Sequence, residues 1–219
     1  MQSPSRAELF NLLANQAQNC SLCPGMAERT AVLSTLNGSL HPLVLFVAEA
    51  PGRKGADRTR IPMTGDRSGV TFHHLLGVAG LRAEEIFITN AVLCSPRSES
   101  GANRPPKSYE IRNCTNFLRR TIEALDPPFV VTVGGAALKA VAHIERHELT
   151  LLDVGTAREW FGRFLAPVYH PSPQVLISRR SLTQQEEDWR MLSTELRNYS
   201  SRMTATASVV SPTSGERMT

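Results

Sequence analysis

Four segments of the chain are dense in apolar residues and too short for helices: LVLFVAEA at 43–50, IFIT at 86–89, FVVTVGG at 129–135 and FLAPVYH at 164–170. Runs of this kind predict strands covered on both faces, because a strand with one solvated face alternates instead. Between them the apolar period lengthens to that of a helix. Glu8–Gln18 places Leu9, Leu12 and Leu13 on one face, with Ser5 as the cap. Further helices are expected at 70–79, at 108–125 with Pro127-Pro128 ending it, and at 136–144 after two glycines. Thr183-Gln184-Gln185-Glu186 fits a capping box that opens a last helix to about 198. The segments 51–69, 95–107 and 173–180 are rich in Gly, Pro, Ser or Arg and read as loops. Alternating strands and helices predict an α/β fold, a three-layer α/β/α sandwich around a mostly parallel four-stranded sheet. One domain is expected over 1–199. A Ser/Thr-rich tail without periodicity, expected to be disordered, covers 200–219.

In sheets of this class the ligand lies beyond the carboxyl ends of the strands. Those ends carry Glu49 to Gly52, Asn90, Gly134-Gly135 and His170. Composition adds boundaries. With 219 residues, 41% of them hydrophobic, the chain suits one globular domain. No apolar run near the start spans a bilayer and MQSPSRAELF has no signal-like apolar region, so a cytoplasmic protein with no membrane partner is expected. The net charge of +4 suits a polyanionic partner but does not by itself separate a nucleic-acid binder from other basic proteins.

The four cysteines say more. Without a secretory signal they point to metal ligation or redox chemistry rather than disulfides. Cys20 and Cys23 are spaced to chelate one centre from a single turn, and Cys94 and Cys114 close a four-cysteine site. Zinc and an iron–sulfur cluster both satisfy that spacing.

The motifs threaded between and beyond the cysteines resemble the iron–sulfur uracil-DNA glycosylases, families 4 and 5. AEAPG (48–52) is similar to the family 4 motif GEAPG, and DRTRIPMTGDRSG (57–69) looks like the family 5 segment R-T-G-x-P-F-T-G-D-x-S-G. ITNAVLC (88–94) resembles the family's ITN strand end, and HPSP (170–173) its H-P-S motif before a DNA-intercalating loop. The ordered match covers most of residues 20–195.

The resemblance implies a monofunctional, monomeric enzyme that flips uracil from single- or double-stranded DNA and hydrolyses its N-glycosidic bond. It also implies a [4Fe-4S] cluster, in preference to zinc, on Cys20, Cys23, Cys94 and Cys114. Asn90 would read the uracil edge and His170 would meet uracil O2 as charge grows there. Two carboxylates compete to activate water. Glu49 matches family 4, whereas Asp66 matches family 5 and also suits the cap of a helix starting near Ser68. Met63 stands where the family carries a Phe that stacks on the base, so either Met63 or another residue such as Phe72 supplies that face. Ala50, Gly52, Gly134 and Ser172 complete the expected substrate set. Val175 and Leu176, with Ile177, form the expected wedge. Arg53, Lys54, Arg58, Arg179 and Arg180 are expected on the DNA backbone. The rival readings are a non-catalytic DNA-binding protein on the same fold and a redox carrier built on the cluster.

Overall fold

A computed structural model describes residues 4–26 and 28–209 of the chain. Its strands are β1 (Val44–Ala48), β2 (Ile86–Asn90), β3 (Phe129–Val133), β4 (Arg158–Trp160) and β5 (Arg163–Val168), in the order β2-β1-β3-β5-β4. Every pair is parallel except β4 with β5. Every residue of β1, β2 and β3 is buried, as the unalternating apolar runs require. The helices are α1 (Arg6–Gln18), α2 (Ala56–Thr59), α3 (Arg67–Ala79), α4 (Ser108–Leu125), α5 (Gly135–Ala142), α6 (Pro173–Ser178) and α7 (Leu182–Val209).

Because successive strand residues point to opposite faces, each strand feeds two cores. Leu45, Val47, Phe87, Val130 and Leu165 pack with Phe10, Leu13, Ile111, Leu118 and Leu138 from α1, α4 and α5. Val44, Phe46, Ile88, Val131 and Ala166 pack with Phe72, Leu75, Trp189 and Leu192 from α3 and α7. The expected α/β/α sandwich is therefore present. None of the described helices is long and apolar enough to cross a membrane.

The structure corrects several boundaries. The sheet has five strands rather than four. The extra one, β4, is three residues long with two of them exposed, so no apolar run announced it. On α1 the buried face is Phe10, Leu13, Ala14 and Ala17, and Leu9 and Leu12 are exposed. The expected 173–180 loop contains α6, whose Pro173 occupies the first helical position, where its missing N–H costs nothing. The last helix opens two residues earlier than expected, on a reciprocal pair in which Ser181 N–H donates to Gln184 Oε1 and Gln184 N–H donates to Ser181 Oγ. That helix also runs to Val209, past the expected start of a disordered tail, and residues 210–219 lie outside the described residues.

Candidate active site

Beyond the carboxyl ends of β1 and β2 lies a cavity of about 440 Å³. Glu49, Ala50, Pro51 and Gly52 leave β1 along one wall, and Asn90 closes β2 beside them, in register with Ala48. Met63, Asp66 and Ser68 enter from the segment before and into α3. His170, Ser172 and Val175 follow β5, and Pro96, Asn103, Arg104 and Pro105 form the opposite wall.

Asn90 is only 3% exposed, and its Nδ2 has no hydrogen-bond partner among the described residues. A buried donor left unpaired costs about 1–3 kcal/mol, so such a group at a cavity wall is aimed at a ligand or is a defect. Glu49 is half-buried, and its carboxylate makes no hydrogen bond or ion pair among the described residues. Burial therefore raises its pKa above the ordinary range. Burial also holds the His170 imidazole below the usual histidine range, against the opposing charge of Asp66. The neutral ring is the form present at neutral pH.

Asp66 has a visible structural task. Its Oδ1 accepts a hydrogen bond from Gly69 N–H at 3.0 Å and caps α3, and its other oxygen rests against Gly52 and Gly55. Ser172 likewise caps α6, accepting from Val175 N–H at 3.4 Å.

Several expected site residues stand elsewhere. Phe72 is wholly buried in the α3–α7 core, edge-on to Phe46 and Trp189, and does not reach the cavity. No Phe, Tyr or Trp lines the cavity among the described residues, and the side chain at the expected stacking position is Met63. Met63 has φ 51°, a left-handed conformation rare for its residue type. Gly134 does not offer its N–H to a ligand, because that group donates to Val168 O at 2.8 Å. Its φ is +93°, and a Cβ there would stand 3.1 Å from His170 Cβ, so it makes room for the histidine.

Asp188 holds the Arg180 guanidinium at two points. Arg58 is exposed but outside the cavity, and Leu176 is half-buried; Ile177, at 88% exposed, is the apolar side chain that projects. Arg179 is exposed. Arg53 and Lys54 line an adjoining groove of about 530 Å³ with Arg67, Asn103 and Pro173.

Asn103 was not anticipated. Its Oδ1 accepts from Arg53 N–H at 2.9 Å, joining the 95–107 loop to the turn after β1. The same loop is held to α4 by Arg104, whose two Nη atoms donate to the fully buried Glu110 at 2.8 and 2.5 Å. Asn103 and Arg104 lie in a segment without periodicity, which carries no signal of either tether.

All four cysteines are free; Cys23 and Cys114 are buried, and Cys20 and Cys94 half-buried. Burial, with the charges of Cys20 and Cys23 adding, pushes the Cys94 thiol up to about 11. Burial pushes Cys114 up to about 12, with Cys94, Cys23 and Cys20 adding against a backbone hydrogen bond from Leu93. The four thiols thus share one electrostatic neighbourhood. Asn113 Nδ2 donates toward Cys23 Sγ at 3.4 Å. Among the described residues no group of three or more His, Cys, Asp or Glu side chains is arranged to hold a single metal ion.

The family model for the uracil DNA glycosylase superfamily matches residues 37–193, from before β1 into α7. The Type-4 uracil-DNA glycosylase of Thermotoga maritima is 32% identical over 178 residues, which is 81% of this chain and 88% of that protein. The Type-5 uracil-DNA glycosylase of Pyrobaculum aerophilum is 29% identical over 192 residues, 75% of this chain and 83% of that protein. The Type-4 enzyme of Archaeoglobus fulgidus is 29% identical over 191 residues, 84% and 92% of the two chains. With more than half its length matched, including every strand end that lines the cavity, the chain belongs to the uracil-DNA glycosylase superfamily.

Proposed function

We propose that this chain excises uracil from DNA, flipping the nucleotide into the cavity and hydrolysing its N-glycosidic bond to leave an abasic site. The observation that carries the reading is the buried, unpartnered Asn90 amide at the cavity wall. A side-chain amide matches uracil because its oxygen accepts from N3–H while its nitrogen donates to the neighbouring carbonyl. His170, neutral at working pH, donates to uracil O2 as the C1′–N1 bond breaks and charge collects on the leaving base. Glu49 accepts a hydrogen bond from the attacking water and takes its proton as the C1′–O bond forms. A desolvated carboxylate without a competing partner suits that task better than Asp66, one oxygen of which is spent on the α3 cap. Met63 packs against the base in place of an aromatic ring. Arg53, Lys54 and Arg67 line the groove through which the DNA backbone runs.

The cysteine set fits an iron–sulfur cluster by its donor chemistry, four thiols with no disulfide and two of them buried. Cys20 and Cys23 after α1, Cys94 after β2 and Cys114 on α4 would hold a [4Fe-4S] cluster, which would supply a cross-link among those three elements. Iron and acid-labile sulfide are expected at about four each per chain. One equivalent of zinc with no sulfide would overturn this assignment.

The function is tested by incubating the protein with a uracil-containing oligonucleotide, single- or double-stranded, and cleaving abasic sites with alkali. Strand scission at the uracil position is expected. Its absence on both substrates would favour a DNA-binding protein without catalysis.

A further inference from the structure

Resting on the reading of the chain as a DNA glycosylase, we propose that Asp188 and Gln185 are positioning residues that lock the 170–180 segment. Arg180 then belongs to this lock and not to the contacts with DNA.

Asp188 is 1% exposed on α7. Its Oδ2 accepts from Arg180 Nε at 3.0 Å and its Oδ1 from Arg180 Nη2 at 2.5 Å. A two-point fork fixes the plane and direction of a guanidinium as well as balancing its charge. The same guanidinium lies 5.8 Å over the ring of Tyr169, the residue before His170. One turn earlier on α7, the buried Gln185 donates from Nε2 to the carbonyls of Arg180 at 3.3 Å and His170 at 3.5 Å. One face of α7 therefore grips both ends of the segment.

What remains between the grips is short and closed on itself. Ser172 caps α6, and the N–H groups of Arg179 and Arg180 both donate to Val175 O at 2.9 Å. This turn presents Ile177 to solvent. An apolar side chain that enters a base stack must be held against the stack it displaces. A duplex makes that demand, whereas a single strand has no partner to unpair. The lock should therefore matter most on duplex substrate.

The test compares wild-type protein with R180K, R180Q and D188N. Rates are measured on single- and double-stranded uracil oligonucleotides, with the salt dependence of duplex binding and amide hydrogen exchange of the free proteins. R180K keeps the charge and loses the fork. It is expected to lower the duplex-to-single-strand rate ratio by about tenfold or more, as misplacement of a working group does. It should also speed exchange at Leu176, Arg179 and Arg180 while the strands stay protected. R180Q should do the same without changing the slope of log affinity against log salt. If D188N fails to fold because the carboxylate that pairs Arg180 is lost from the buried face of α7, the two Arg180 variants still decide.

A slope flattened by about 0.9 in R180Q, the loss of one phosphate contact, with exchange unchanged, would overturn the proposal. So would a wild-type rate ratio in R180K. Absence of wild-type activity on both substrates would instead sink the glycosylase reading, leaving hydrogen exchange to judge the lock.

Discussion

Asn90→Ala is expected to lower kcat/KM on uracil-containing DNA by about a thousandfold or more, while leaving the folded protein no less stable. A site built to satisfy polar groups of its substrate discriminates by several orders of magnitude, because the unmatched groups are then buried without partners. Alanine removes both halves of the match, the acceptor for N3–H and the donor for the carbonyl. Most core truncations destabilise, but this side chain carries an unpartnered Nδ2 in the free protein. Deleting that group recovers about 1–3 kcal/mol, which offsets the lost packing. Asn90→Asp keeps an acceptor and loses the donor, so it should fall nearly as far. Single-turnover rates and thermal unfolding of the same preparations check both halves. Near-wild-type excision by Asn90→Ala, or a melting temperature lowered as for a lost core contact, would make the amide a structural residue.

Much of this arrangement is legible in the sequence because it follows from short-range physics. Buried parallel strands need unbroken apolar runs, and β1, β2 and β3 supply them. The parallel topology then carries Glu49, Asn90 and His170 to one edge of the sheet. Other features depend on partners distant in sequence. Nothing in the basic loop announces that Arg180 pairs with Asp188 on α7. Phe72 is no stacking face for a local reason: Phe72, Leu75, Leu76 and Ala79 sit at helical spacing and form the buried face of α3. The Asp66 cap, by contrast, is legible as one of two sequence readings. Local geometry supports it, with Oδ1 on Gly69 N–H three residues on. The 95–107 wall was opaque for a different reason. Its shape rests on Arg104 meeting Glu110 on α4 and Asn103 meeting Arg53, tethers that no periodicity encodes.

Glu49→Gln is the other substitution expected to have a large effect, about 10²–10⁴-fold in kcat, the usual range for removing a general base. Asp66→Asn should cost far less, because asparagine caps helices as well as aspartate does and α3 keeps its N-terminus. The reverse order would assign the water to Asp66. The pH dependence sharpens the test. Burial raises the folded-state pKa of Glu49 above its ordinary 4.5, so the folded protein binds this proton more tightly than the unfolded chain. Ionised Glu49 thus destabilises the fold at neutral pH, and that cost disappears as pH falls through the raised pKa toward 4.5. Glu49→Gln should therefore be more stable than wild type near neutrality, with the advantage shrinking on acidification. His170 contributes the opposite sign: its lowered pKa means that stability drains as pH falls below 6.5, in both proteins alike. On the kinetic side, the wild-type rate should fall on the acid side as Glu49 takes up its proton, and the residual rate of Glu49→Gln should lack that limb. An acid limb that survives in the variant would move the titrating group to His170 and leave Glu49 without a part in activating the water.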